Sequence, residues 1–273
     1  MLFENFSNEK FSWKRWALQI AIIPVFLYVG LGIFAYFFAD RMIFQPQKYL
    51  LPANDSTLKL STPNGEKISA IFFKNPNAEY TILFSHGNAE NIFTSEYFSQ
   101  KLSNAGFNVL AYDYRGYGLS EGKPSEQNSY EDAETAYNYL VNDLKITPEK
   151  IIIFGRSLGG AVSIDLASRK KCGGLIAEST FVSAFRVMTV YKIYPFDEFE
   201  NLKKIPKVNC PLLLIHGKKD ELIPIWQGEK LFSAATEPKY FFQVEEGGHG
   251  TVAAFAGDAY FQKIVDFADN LPK

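Results

Sequence analysis

Cysteine is nearly missing from this 273-residue chain: Cys172 and Cys210 are the whole supply. Two cysteines make neither a disulfide framework nor a thiolate metal cluster. Histidine is almost as scarce, with three residues and no H-x-x-x-H pair, so zinc-protease chemistry is excluded and no metal or organic cofactor is expected. An excess of one charge is also lacking, because 28 basic residues face 30 acidic ones for a net charge of −2. Such a chain has no field for gripping a phosphate backbone, and nucleic acid is not an expected partner. Low-complexity tracts and repeats of fixed period are absent as well.

Apolar side chains are abundant instead, at 47% of residues with 25 Phe and 15 Tyr. The length suits one large domain with an extension. The extension is the N-terminus: residues 1–43 read as a membrane anchor, with an almost wholly apolar helix over 17–39 in which Gln19 is the one strongly polar residue. At ~1.5 Å per residue this stretch just exceeds a ~30 Å hydrocarbon core. Trp13, Trp16 and Tyr36 sit near its ends, where amphipathic rings favour the interface, and Lys14, Arg15 and Arg41 close it off. A cleaved signal would have a shorter apolar region and a small-x-small site beyond it; here the Gly30-Leu31-Gly32 triplet lies inside the run. The expected localisation is a single-pass membrane protein, with the bilayer as partner. Lys10, Lys14 and Arg15 before the helix, against Arg41 and Lys48 after it, bias the N-terminus toward the cytoplasm and the remainder outside.

Residues 44–63, with Pro46, Pro52 and Asn54, read as a linker, and 64–273 as the folded domain. Within that domain strand-like runs recur at 68–73, 80–85, 109–114, 151–154, 174–177, 212–215 and 241–244. Several are continuously apolar, as expected of parallel strands buried on both faces. Helical patterns separate them at 91–104, 158–169, 226–235 and 251–270, and another opens at Ser129-Tyr130-Glu131-Asp132. The alternation predicts an α/β fold: a mostly parallel central sheet, helices on both faces, and a functional site at the carboxyl ends of the strands. Cys172 and Cys210 each precede a strand run, so neighbouring strands would bring both thiols to the opposite end of the sheet.

The sharpest motif is Gly155-Arg156-Ser157-Leu158-Gly159, between the strand run 151–154 and a helix rich in small residues. A serine on a tight strand-to-helix turn is forced outward, beside amides that favour developing negative charge. A serine hydroxyl needs a base whose pKa lies near the working pH, which points to histidine. His86 and His216 each end a strand and precede glycine, and they read as residues that shape strand ends. His249, in a loop after the last strand, is the predicted base. Asp220, just beyond the run 212–215, is the predicted acid, with Glu221 and Glu178 as alternatives. Predicted oxyanion donors are the backbone N–H groups of Leu158 and Asn88. Asp113 to Ser120 resembles a glycine-rich nucleotide loop but misses its spacing, so it reads as a structural turn tied by Asp113 or Arg115.

The segments SHGNAEN, YDYRGYGLSEGKPSE, FGRSLGGAV, HGKKDELIP and GGHG resemble those of the α/β-hydrolase superfamily, in particular its single-pass, membrane-anchored serine hydrolases related to the protein depalmitoylases. The resemblance runs from about Leu58 to the C-terminus. It implies the α/β-hydrolase fold and places nucleophile, acid, base and oxyanion donors on Ser157, Asp220, His249, Leu158 and Asn88. The depalmitoylases are tethered by a cysteine-rich N-terminus, whereas no cysteine precedes Cys172 here. In this fold, residues 179–209 occupy the position of a lid, and they are mostly apolar or aromatic. Phe181 and Phe185 are the predicted substrate-binding residues, lining a pocket for a small-molecule or lipid-like acyl group. The expected reaction is hydrolysis of a carboxylic ester or thioester. An aminopeptidase, or an inactive membrane-tethered binding protein that keeps only the fold, are the alternatives.

Overall fold

The computed structural model describes residues 13–48 and 57–272; Lys10, Pro52 and Asn54 lie outside them, as do the side chains of Lys14, Arg15 and Gln19. The first compact unit ends at Ala39 and the second runs from Asp40.

The first unit is built on one long helix, Trp13–Ile43 (α1), with Pro24 inside it. Its stretch Ile20–Ile43 has a mean hydropathy of 2.3, long and apolar enough to cross a membrane. The 24 residues would span ~36 Å. The helix runs past the span read from sequence because Asp40 and Arg41 are tolerated in its last turns. It ends before Pro46, which disfavours helical backbone in the residue preceding it.

In the second unit, the strands among the described residues are Thr57–Ser61 (β1), Lys67–Phe73 (β2), Thr81–Ser85 (β3), Asn108–Tyr112 (β4), Ile151–Arg156 (β5), Gly174–Glu178 (β6), Leu212–Gly217 (β7) and Lys239–Val244 (β8). They form one sheet in the order β1-β2-β4-β3-β5-β6-β7-β8. The β1–β2 and β2–β4 pairs are antiparallel and the remainder are parallel. Around the sheet lie Glu96–Asn104 (α2), Glu126–Asn138 (α3), Leu158–Arg169 (α4), Asn201–Lys204 (α5), Trp226–Ala234 (α6), Val252–Ala256 (α7) and Asp258–Asp269 (α8).

Successive side chains of a strand point to opposite faces, and both faces of this sheet are covered. Leu83, Ile151 and Ile153 pack with Ala133 and Tyr137 of α3 and Ala161 and Val162 of α4. Ile82, Phe84, Ile152 and Phe154 pack on the other side with Leu102 of α2 and Tyr260, Ile264 and Phe267 of α8. Double-sided burial is why these strands read as unbroken apolar runs. Truncating a residue such as Ile153 to alanine removes ~2–5 kcal/mol.

Several boundaries differ from the sequence reading. The linker stretch 44–63 contains β1, an edge strand with a half-exposed pattern. Helix α3 starts before Ser129, because Ser125 accepts a bond from the Asn128 N–H and caps it. Helix α2 starts only at Glu96, since Asn91 Oδ1 accepts from the Phe93 and Thr94 amides and holds 91–95 as a turn. The stretch 251–270 also splits into α7 and α8, at Gly257 with φ of 56°.

Residues 179–209 form a strap closed at its base. The Ser183 hydroxyl donates to Asp197 at 2.6 Å, the Phe185 amide to the same carboxylate at 2.8 Å, and the Leu202 amide to the Val182 carbonyl at 3.1 Å. Phe181, Val182, Ala184 and Phe199 are buried under it, while Met188, Val190, Tyr191 and Ile193 at its apex are exposed.

Candidate active site

Ser157 joins β5 to α4 with φ 55° and ψ −116°, a backbone region costly to an L residue. The turn closes because its flanking residues have no Cβ. One on Gly155 would lie 2.0 Å from the Gly159 carbonyl oxygen, and one on Gly159 would lie 2.0 Å from that of Ser85. The Ser157 amide donates to the Glu178 carbonyl at 2.8 Å, and the Thr180 hydroxyl donates to the Ser157 carbonyl at 2.9 Å. The end of β6 and the loop just after it thus hold the turn.

His249 and Asp220 come from loops that follow β8 and β7. The loops are locked together. The Lys218 amide donates to the Val244 carbonyl and the Lys219 amide to the Gly247 carbonyl, each at 2.9 Å. The ion pairs Lys218–Glu245 and Lys219–Glu246 span the same joint. His249 Nδ1 lies 2.9 Å from Asp220 Oδ2, and His249 Nε2 lies 3.0 Å from Ser157 Oγ. These partners assign the imidazole proton to Nδ1, leaving Nε2 free to accept from the serine hydroxyl. The Asp220 carboxylate is buried, and its Oδ1 accepts the Leu222 and Ile223 amides at 3.0 and 2.7 Å. A carboxylate fixed by two amides cannot swing away from the imidazole. Glu221 is exposed, and the Glu178 carboxyl is buried and takes a hydrogen bond from the Tyr260 hydroxyl, so the structure joins neither to His249. Burial, offset by Arg156 and Tyr260, leaves Glu178 above the usual carboxylate range.

The two predicted oxyanion donors lie on the loop after β3 and on the first residue of α4. Among the described residues, neither the Asn88 nor the Leu158 N–H has a hydrogen-bond acceptor. The Asn88 side chain is occupied: Oδ1 accepts from the Gln45 amide at 2.9 Å and from the Tyr117 hydroxyl at 2.6 Å, and Nδ2 donates to the Ile43 carbonyl at 2.6 Å. The Gly87 amide is also taken, donating to Glu90 Oε2 at 2.9 Å. Glu90 in turn pairs with Arg156 beside the nucleophile, a link the sequence reading did not find.

His86 and His216 are buried at strand ends, as read from sequence. His86 lies 3.3 Å from Asp113, and His216 Nε2 bonds the Ile223 carbonyl at 2.8 Å. Burial pushes the His216 imidazole below its ordinary pKa and keeps it neutral. Asp113 and Arg115 are structural: Asp113 accepts the Ile92 amide at 2.8 Å, and the buried Arg115 guanidinium joins Asp132, Glu131 and Glu66. Phe181 turns into the core against Phe199, with ring centroids 6.3 Å apart. Phe185 is half-buried against Phe196 at 5.9 Å.

A strained serine between a parallel strand and a helix, served by loops from later strands, is the arrangement of the α/β hydrolases, and solved structures share the fold over most of the chain. An esterase of Pyrococcus furiosus aligns over 83% of this chain and 99% of its own, with a TM-score of 0.69 and 19% identity. An α/β hydrolase of Vibrio vulnificus aligns over 78% and 80%, with a TM-score of 0.64 and 27% identity. The family described as serine aminopeptidase S33 matches residues 76–195. Within this class, the chain belongs to the family of α/β-hydrolase domain-containing protein 17. It is 40% identical over 210 residues to the 17B protein of Homo sapiens, covering 76% of this chain and 72% of that one. It is 38% identical over 213 residues to the 17C protein of Xenopus tropicalis, covering 76% and 67%. The chain is a serine hydrolase, and the superfamily read from its motifs holds.

Proposed function

We propose that this hydrolase cleaves carboxylic esters or thioesters through an acyl-enzyme on Ser157, and works while anchored in a membrane by α1. The observation that carries the proposal is the continuous relay from Asp220 through His249 to Ser157, at 2.9 and 3.0 Å. His249 Nε2 takes the hydroxyl proton as Ser157 Oγ attacks the substrate carbonyl, and Asp220 stabilises the imidazolium that forms. The tetrahedral oxygen is met by the Leu158 and Asn88 N–H groups, which need surrender no protein acceptor to bind it. His249 then protonates the leaving alcohol or thiol, and water reverses the sequence to free the acid.

Phe185, half-buried in the strap, supplies an apolar wall for the acyl chain, each buried methylene contributing ~0.8 kcal/mol, whereas Phe181 packs in the core against Phe199. Three or four additional carbons improve binding by ~10²-fold where they are accommodated. The anchor would hold the site where acylated substrates concentrate. The test is a p-nitrophenyl ester series: kcat/KM rises from acetate to butyrate or hexanoate, and Phe185→Ala flattens the rise. A series in which acetate is best removes the acyl-pocket reading.

The match to the serine aminopeptidase family favours a second reading, hydrolysis of aminoacyl amides. It needs an acidic group facing the substrate amine, and Glu178 is engaged with Tyr260 inside the core. Aminoacyl amides that outperform every ester would decide for it.

A further inference from the structure

Cys172 and Cys210 stand just before β6 and β7, which are adjacent parallel strands with Leu175 opposite Leu212. Neighbouring strands run 4.7–4.9 Å apart, inside the 4.4–6.8 Å Cα separation that a disulfide accepts. The side chains converge as well as the backbones: Cys172 Sγ donates to Cys210 Sγ at 3.2 Å, so an approach of ~1.2 Å completes a bond of ~2.0 Å. Each sulfur is buried, yet each has an exposed chain neighbour, Lys171 and Asn209, which places the pair just beneath the surface. The serine hydrolase reaction has no use for them, because they lie at the ends of β6 and β7 opposite Glu178 and Gly217.

We infer that Cys172 and Cys210 are a reversible disulfide pair that ties together the amino ends of β6 and β7. The inference does not depend on the substrate proposed above. Closure removes one hydrogen from each thiol. One cysteine forms a mixed disulfide with a small or protein disulfide and releases its first thiol, and the other displaces the second. The oxidant is reduced to two thiols as the internal S–S bond forms, so protons and electrons balance. The hydrogen bond to Cys210 and burial push the Cys172 thiol up, so closure is slow at neutral pH without a catalyst.

The cysteines are 38 positions apart, and the loop they close contains β6 and the whole strap 179–209. Tying such a loop restricts the unfolded chain, and the oxidised form should melt ~5–10 °C above the reduced one. Activity should change less than about twofold, because the lock sits at the far end of the sheet.

The full chain, purified in detergent and reduced, is incubated to completion with excess glutathione disulfide and a protein disulfide isomerase, denatured, and treated with a maleimide. The expected result is a monomer that takes no label and weighs two hydrogens less than the reduced form, and takes two labels after reductant. Its melting point should fall on reduction, and that of the Cys172→Ser/Cys210→Ser double variant should not respond to reductant. Two labels on the oxidised sample, a persistent glutathione adduct, or a disulfide-linked dimer would each overturn the inference.

Discussion

Arg156 Nη2 donates to Glu90 Oε1 at 2.6 Å, while the other oxygen of the same carboxylate accepts the Gly87 amide. One carboxylate therefore ties the residue preceding the nucleophile to the loop that carries Asn88. Burial opposes the charge on Glu90, but Arg156 and the Gly87 amide hold its carboxyl below the usual range. Its stabilising contribution is present above the unfolded pKa near 4.5 and is lost as pH falls through the lower folded value.

Glu90→Gln should therefore lower kcat by ~10–10²-fold, with a smaller change in KM, because the Asn88 loop is no longer held against the nucleophile turn. Steady-state kinetics on one good ester measures the split. An increase in KM at constant kcat would mean that Glu90 serves substrate binding instead.

Ser157→Ala should lose ~10⁶ in turnover and all fluorophosphonate labelling, and Asp220→Asn ~10⁴ through the wrong imidazole tautomer. Labelling that persists in Ser157→Ala would place the nucleophile elsewhere.

Glu198, in the strap, shares a hydrogen bond with Glu126, and this with burial and nearby carboxylates raises its pKa to about 8. The folded protein then keeps a proton that the unfolded chain releases near 4.5. This contribution is complete below the unfolded value and disappears as pH rises through about 8. Glu126 moves the other way: despite burial, hydrogen bonds from Glu198 and Tyr130 hold it low, so its share is lost only in acid. Melting points should accordingly fall between about pH 5 and about pH 8.5, with a shallower slope in Glu198→Gln. Parallel slopes would show that another group governs the window.

Protease added to intact cells should digest the domain after α1 and leave the helix, in keeping with the basic residues before it. Full protection in intact cells with digestion after lysis would invert the orientation.

The sheet was legible because double-sided burial writes unbroken apolar runs such as Ile151 to Phe154. Strand β1 was not, because Thr57–Ser61 is a half-exposed edge strand with one buried position. The fold beyond it was also readable from motif order, which put Ser157, Asp220 and His249 in the sequence serine, acid, base. Glu90 left no comparable mark: its partner Arg156 lies 66 positions away, and only the crossing of β3 beside β5 brings them together. The early start of α3 was hidden because the Ser129 pattern imitates a cap, whereas Ser125 is the residue that makes the bond.

The strap between β6 and β7 begins and ends on its own hydrogen bonds, from Ser183 and Phe185 to Asp197 and from Leu202 to Val182. Serine sits before it in the chain, and acid and base after it, on loops that brace each other. Residues 188–193 could consequently be lengthened, shortened or exchanged between relatives with both anchor points retained, so that descent can diversify the substrate range at one interchangeable cassette while the reaction chemistry is inherited intact.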